Sequence, residues 1–467
     1  MLHIKSPVDN PELHYSLFVC FKEFLGVEYK FSFEKGLDCF QISLDSSPFL
    51  LEIACTFSDS AAYFSKGFQV PQQPLENWCP RYYGLQVDLV EETLPILFGS
   101  SVFQTKGNVT SWGVDVFSTI FFMLSRIEEV GSMRRDMHGR FPASASLAYK
   151  ENFLERPILD EYLEVLWAIF LTRWPDMERL SVKSDILVSC DVDEPFDHTV
   201  DNIYVTTRTC LSDVIKRKSL RLAGARLLRY CFNKVGKYTL DNKYTFDWYM
   251  DECEKNGLSI AFYFIPTSNE AKNGSYELTE TRIQKLLINI ALRGHEIGVH
   301  GSYQTYLDLA KMAAQKKLLS ERLDYLVPGV EAIGNRQHYL RWDSAVTPSL
   351  VDNAGFIYDT TGGYADNAGF RFGTSKEFPM WDLKERRKLN LRQRPLIVMD
   401  ATVFSKKYMD FVSLDSGLKY IYTLMERSLK YGGNFTLLWH NSFLADGEFK
   451  QLFEQLVKKL GEVKKTL

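Results

Sequence analysis

The chain has 467 residues, about three times the length at which a single core stops being typical, so two domains are expected. Hydrophobic residues make up 45% and charged residues 24%, which excludes a mostly disordered or collagen-like chain. With 55 Lys and Arg against 59 Asp and Glu, the formal charge is -4, so there is no basic surplus to neutralise phosphates and nucleic-acid binding is not expected. Up to about Pro175, short strand-like runs (Tyr29 to Phe33, Phe49 to Thr56) are broken by turns rich in Pro, Asn and Gly. Strongly apolar helices are expected from Val114 to about Val130 and from Ile158 to about Trp174, with the polar loop RRDMHGRFPASAS between them. The pattern changes near Trp174 and Pro175, so residues 1–175 are expected to form a smaller N-terminal α+β domain and residues 176–467 a second domain.

The first residues, MLHIKSPVDNPELHYSLF, carry no basic stretch followed by an apolar run, so no secretory signal is expected. The most apolar window, Val114 to Leu124, is interrupted by Asp115 and Ser118 and is too short to span a membrane. The eight cysteines form no CxxC pair, which speaks against a disulfide framework or a thiolate zinc site. A cytoplasmic protein with free thiols is the expectation.

From Ser184 onward, short apolar runs alternate with helical stretches. The runs are DILVSC (Asp185 to Cys190), SIAFYFIP (Ser259 to Pro266), HEIGVH (His295 to His300), AIGNRQHYL (Ala332 to Leu340), GFIYD (Gly355 to Asp359), PLIVMDA (Pro395 to Ala401) and NFTLLWH (Asn434 to His440). Helices are predicted over Phe246 to Asn256, Thr279 to Leu292, Tyr306 to Leu326 and Leu418 to Tyr431. Strands alternating with helices imply a parallel α/β sheet, and seven continuous apolar runs point to a curled, barrel-like one covered by helices.

The C-terminal ends of these strands carry Asp191 and Asp193, Thr267, His300, Arg336 with His338, Asp359, Asp400 and His440. That edge is where active sites form in parallel α/β folds, and such groups are costly to bury unless paired or bound to a cation. Asp191 and Asp193, two apart, suit one proton acceptor and one metal ligand, or else a capped turn. His300 suits a metal ligand or a satisfied core histidine. Arg336 can pair with Asp191, with Arg341 as an equal competitor, and His338 can be a further ligand or a structural polar group. His440 suits a general acid or a rim histidine, which Asp359 or Asp400 would orient unless they only cap loops. His295, at the opposite end of its strand, reads as structural.

These segments resemble the polysaccharide deacetylase superfamily (carbohydrate esterase family four). SCDVDEP is similar to that family's aspartate motif, GHEIGVHGSYQ to its histidine motif, NRQHYL to its arginine motif and LLWHN to its final histidine motif. FFMLSRIEEV, DMHGRF and VDNAGFIYDTTGGYADNAGFRFGT are similar to a bacterial branch carrying an N-terminal domain of unknown role. The resemblance implies a distorted seven-stranded (β/α) barrel, with Asp191 as general base, Arg336 orienting it and His440 as general acid. It also implies metal ligation by Asp193 and His300. The family's second histidine position is Gln304 here, a weaker ligand, so His338 or His198 is the candidate to complete the site. Asp359, Arg371 and Trp439 are expected at the substrate. The implied activity is metal-dependent removal of N-acetyl or O-acetyl groups from a carbohydrate, with zinc, or else cobalt, manganese or nickel, as cofactor. A metal-free sugar-binding or scaffolding protein of the same fold is the alternative, for which Gln304 speaks.

Overall fold

A computed structural model describes residues 1–57, 70–180, 183–267, 274 and 276–467. The N-terminal half is built on a six-stranded mixed sheet of β1 (Leu2–Ser6), β2 (Tyr29–Phe33), β3 (Cys39–Leu44), β4 (Leu50–Ala54), β7 (Gly99–Lys106) and β8 (Val109–Val114), in the order β2-β1-β3-β4-β8-β7. Between β4 and β7 a two-stranded ribbon forms from β5 (Glu76–Trp78) and β6 (Leu94–Ile96). Helices α1 (Pro11–Leu17), α2 (Val116–Ser125) and α3 (Ile158–Arg173) accompany these strands; α3 keeps the predicted bounds, while α2 stops five residues short of Val130, at the left-handed Arg126. Every residue of α2 is buried. An apolar helix without a polar face has to be sandwiched.

All seven strands predicted in the second half form: β9 (Ile186–Val192), β10 (Ile260–Phe264), β11 (Glu296–Gly301), β12 (Gly334–Gln337), β13 (Tyr358–Asp359), β16 (Val398–Met399) and β17 (Phe435–Leu438). A hairpin not foreseen in the sequence, β14 (Phe378–Asp382) and β15 (Arg387–Gln393), joins them. The nine strands run in the order β14-β15-β13-β12-β11-β10-β9-β17-β16, parallel throughout except for the β14–β15 pair. The architecture is therefore mixed α/β as expected, but strand pairing among the described residues does not close the expected barrel. Two-residue strands β13 and β16 present little backbone to pair. The segment after β13 lies against β16 instead, with Leu396 N donating to Gly362 O (3.2 Å) and Gly369 N to Ile397 O (3.1 Å).

Helices α6 (Phe246–Lys255), α7 (Thr281–Leu292), α8 (Leu309–Leu326) and α9 (Leu414–Leu429) fall close to prediction, and α10 (Gly447–Lys464) completes the chain. Before α6 stands a helical hairpin absent from the sequence reading, α4 (Ile203–Ile215) and α5 (Leu220–Lys234), started by the side-chain caps Asn202 and Ser219. Inside the curled sheet Gly298 and Gly334 make room for two rings. A Cβ on Gly298 would lie 2.5 Å from Tyr263 and one on Gly334 2.3 Å from the Tyr358 hydroxyl. The two tyrosine hydroxyls share a 2.8 Å hydrogen bond beneath the functional edge.

Residues on either side of Pro175 share one continuous apolar cluster. Polar ties reinforce it: Tyr15 donates to the carbonyl of Pro379 (2.8 Å), Arg386 pairs with Glu12 (2.7 Å), and Arg371 pairs with Glu129 (2.7 Å). All eight cysteines are free thiols. No helix among the described residues is long and apolar enough to cross a membrane.

Candidate metal centre

Strand β9 carries Asp191 and ends at Val192, with Asp193 directly after it; the two-residue period of extended chain sends both carboxylates to one side, where the ends of β11 and β12 bring His300 and His338. One ligand atom each from Asp193, His300 and His338 lies within 4.8 Å of the others. Asp193 Oδ1 stands 3.5 Å from the Nε2 atoms of both histidines. It is sealed from solvent and makes no hydrogen bond, although the side chain as a whole is 35% exposed. Ligands of a tetrahedral ion with bonds of ~2.0–2.1 Å stand about 3.3–3.4 Å apart, so this group fits one ion. A carboxylate oxygen unpaired in a closed pocket is the other sign that a cation belongs there.

The imidazole of His300 is buried, and its Nδ1 lies 2.9 Å from the carbonyl of Arg336. A carbonyl only accepts, so Nδ1 carries the proton and the Nε2 lone pair faces Asp193. Burial pulls the pKa of His338 down to about 4, which leaves a neutral, ligand-ready ring. Burial also opposes charge on His300, but the Asp191 and Asp193 carboxylates outweigh it and raise that pKa. For Asp193, burial works against ionisation, and His338 and His300 more than reverse it, holding the carboxyl well below the usual range.

Beside this group, Arg336 donates to Asp191 through a single contact, Nη1 to Oδ1 (3.0 Å). The guanidinium is otherwise held by Ser189 Oγ (3.0 Å) and Thr360, over the Tyr263 ring. Its rival Arg341 goes elsewhere, between the rings of Tyr303 and Tyr306 and bonded to the carbonyls of Tyr303 and His138. Across the cavity, Asp400 holds His440 through both Nδ1 (2.7 Å) and the backbone N–H (2.6 Å). Burial alone would depress the histidine, yet Asp400, Asp191 and Asp193 push its pKa up to about 10. Nε2 of His440 points inward, 4.0 Å from Asp193 Oδ2.

A cavity of about 230 Å³ is lined by Asp191, Asp193, His300, His338 and His440 together with residues that sequence reading missed, among them Arg140, Tyr339 and Tyr408. Arg140 comes from the polar loop of the N-terminal half. It pairs with Asp136 (2.6 Å) and donates to the Tyr339 carbonyl (2.7 Å) and the Tyr408 hydroxyl (3.2 Å). A helix-connecting loop nearly 200 residues from the His338–Tyr339 turn offers no local signal of that meeting. A larger cleft of about 470 Å³ contains none of these residues, and its charges neutralise one another, as in Arg179–Glu164 (2.7 Å) and Lys430–Asp88 (2.7 Å).

Arg336 touches the site through Asp191 without lining the cavity, and four further expected site residues do not line it either. Gln304 is exposed, just before the short helical turn Thr305–Leu307, and the chain bends away there after β11. His338 instead stands with Asp193 and His300 in the group able to hold an ion, and His198 is exposed. Asp359 is buried beneath Arg336 and accepts from Asn335 and Thr361, and burial raises its pKa to about 6. Arg371 is consumed by Glu129 and the carbonyl of Gly363. Trp439 points from the strand end into the core, against Phe404 and Phe453, because neighbours along an extended chain face opposite ways and His440 takes the cavity side. His295 has the structural role expected of it, accepting from Ile260 N and contacting Glu254 (3.0 Å).

Residues 2–175 match a family model described only as a family of unknown function, DUF7033. Comparison with curated proteins gives no match. Among solved structures, the chain is similar to a protein assigned as a polysaccharide deacetylase from Mycobacterium smegmatis, at 15% identity and a TM-score of 0.38, over 62% of this chain and 86% of that one. Puue allantoinase gives 12% identity and a TM-score of 0.38 over 62% and 86% of the two chains. A protein assigned as a polysaccharide deacetylase from Pseudomonas aeruginosa PAO1 gives 12% and 0.38 over 67% and 90%. At these values the site's own geometry, rather than the likeness, carries the functional reading.

Proposed function

We propose that the protein is a metal-dependent hydrolase that removes an acetyl group, from nitrogen or oxygen, from a carbohydrate. The observation carrying this reading is the meeting of Asp193 Oδ1, His300 Nε2 and His338 Nε2 in one cavity with an Arg336-held carboxylate on one side and an Asp400-held imidazole on the other. The carbohydrate and the acetyl group come from the motif resemblance, SCDVDEP, GHEIGVH and LLWHN above all.

A divalent ion held by those three residues, zinc foremost, would acidify a water molecule and polarise the acyl carbonyl. Asp191, with Oδ1 occupied by Arg336, accepts the water's proton at Oδ2. As the bond between the acyl carbon and nitrogen (or oxygen) breaks, His440 delivers a proton from Nε2 to the leaving atom, while Asp400 keeps Nδ1 protonated and the ring aimed. Each proton transfer of this kind contributes on the order of 10²–10⁴-fold. Residues 1–175 act in this reading as a unit that closes one wall of the cavity with Arg140.

The test is acetate release from a panel of acetylated oligosaccharides by protein stripped with a chelator and then reloaded with zinc, cobalt, manganese or nickel. Release that depends on the metal and disappears in Asp191→Asn supports the proposal. Stoichiometric metal without turnover on any acetylated sugar, or turnover indifferent to chelation, overturns it in favour of a sugar-binding protein or another chemistry.

A further inference from the structure

The α4–α5 hairpin differs in character from the rest of the molecule. Its two helices pack on each other through Thr206, Cys210 and Ala223, and Arg226 closes on the buried Asp213 (2.8 Å). That leaves the outward faces strongly apolar. On α4, Tyr204, Leu211 and Ile215 follow one another at helical spacing, with Tyr204 73% and Ile215 70% exposed. On α5 the stripe continues through Leu220, Leu228 and, just beyond the helix, Val235, with Leu220 77% and Val235 71% exposed. Isolated exposed apolar residues need no explanation, but these six, grouped on two helices packed together, do.

The charges around that stripe are one-sided. From Ile203 to Lys237 there are nine Lys and Arg against the single Asp213, a net of +8, so the remainder of a chain with formal charge -4 carries -12. Arg208, Lys216, Lys218, Arg221 and Lys237 have no carboxylate within ion-pair distance among the described residues, and all five are exposed. An apolar stripe bordered by unpaired cations, on helices that bury little else, is the composition of an element lying in the plane of an anionic lipid surface. A second copy packing hairpin to hairpin would meet this face with the same +8. Nucleic acid would satisfy the cations and leave the aliphatic stripe in water.

The hairpin also has a defined place. It leaves the sheet after β9, at the edge that carries Asp191 and Asp193. Its base is pinned by Arg229 to Asp197 (2.7 Å) and by Asn233 to Asp241 (2.7 Å). Asn441, next to His440, in turn holds the carbonyls of Glu194 and Lys243 (both 3.0 Å) on the two limbs of the same excursion.

We propose that the α4–α5 hairpin docks the protein onto an anionic membrane surface, with Leu211, Ile215, Leu220 and Leu228 entering the acyl boundary and the flanking lysines and arginines engaging lipid headgroups. The candidate metal centre then opens at the bilayer surface rather than to bulk water.

The test uses the full-length protein in flotation with vesicles of phosphatidylglycerol and phosphatidylcholine, against vesicles of phosphatidylcholine alone. Binding to the anionic vesicles only, weakened by salt, is expected. At about a fivefold effect per cation near such a surface, Lys216→Glu with Lys218→Glu and Arg221→Glu should weaken partitioning about a hundredfold or more. Leu211→Ser with Ile215→Ser and Leu228→Ser should remove it, with circular dichroism and thermal midpoint showing that both variants remain folded. Wild-type protein that does not float with anionic vesicles overturns the proposal. So does binding that survives the serine variant, a dimer that the serine variant converts to monomer without any vesicle binding, or RNA binding that both forms share at the vesicle affinity. Partitioning needs no turnover, so this result stands apart from the fate of the hydrolase reading.

Discussion

The carbonyl of Arg336 fixes the ring of His300: a 2.9 Å hydrogen bond to Nδ1 turns the Nε2 lone pair towards Asp193. The same residue's side chain holds Asp191 at 3.0 Å, so one strand position orients both a ligand and the proposed base. Replacing Arg336 by Lys keeps the backbone bond and removes the planar donor. Metal content should therefore stay near wild type while kcat falls on the order of 10²–10⁴-fold, as in Asp191→Asn. Elemental analysis beside an acetate-release assay checks both halves, and a parallel loss of metal would assign Arg336 to the ion rather than to the base.

His338, not Gln304, stands beside Asp193 and His300, and the proposed function takes it as the third ligand. His338→Ala is expected to weaken zinc binding by at least about 10²-fold, and Gln304→Ala to leave it unchanged. Competition with a chromophoric chelator measures the two directly. Equal losses in both variants would return Gln304 to the metal.

Metal binding should strengthen with rising pH. His300 has its pKa raised by Asp191 and Asp193, so an ion must displace a proton there, while His338, at about 4, is already neutral. Below the raised value of His300, affinity should climb about tenfold per pH unit and level off above it, with one proton released per ion. Calorimetry in buffers of different ionisation enthalpy counts that proton, and a flat affinity between pH 5.5 and 8 would contradict the assignment.

Glu129 joins Arg126 (2.9 Å) and Arg371 (2.7 Å), all three buried. Burial opposes its charge, but the two guanidinium groups win and hold its pKa down to about 2 from 4.5. A carboxyl depressed on folding contributes stability that is present above the unfolded value and lost as pH falls towards the folded one, here between about 4.5 and 2. Glu129→Ala leaves two buried cations short of a partner and should cost about 3–5 kcal/mol at neutral pH. Denaturant unfolding at pH 7 and pH 3 should show that deficit shrinking in acid.

Arg140 carries the N-terminal half into the cavity. Arg140→Ala should leave metal content intact and lower kcat/KM by about 10–10²-fold, because Tyr339 and Tyr408 both lose an anchor. Unchanged kinetics with every acetylated sugar tested would restrict Arg140 to a structural tie.

Much of this was legible in the chain itself. Continuous apolar runs ending in Asp191, His300, Arg336 and His440 marked seven strands and the polar ends of several of them, because a buried strand has a local signature and a charge at its end is conspicuous. Asp359, Arg371 and Trp439 have the same kind of signal and turned out to serve packing: whether a polar or aromatic tip faces a cavity or a neighbouring loop depends on groups distant in sequence. The α4–α5 hairpin was passed over because its apolar residues do not point to a core, which is the feature that sets it apart.

What the sequence determined by itself was local: the strand and helix periods, the neutral balance that hides a basic segment, and the residue types able to bind a cation or move a proton. Tertiary structure alone decided which of them meet. It set His338 rather than Gln304 beside Asp193 and His300, Asp400 against His440, and Arg140 in a wall of the cavity. It also left the pairing of the sheet open, because two-residue strands cannot close it and the segment after β13 fills that side. Those outcomes rest on packing between segments about 30 to 270 residues apart, and no short window along the chain contains both halves of such a contact.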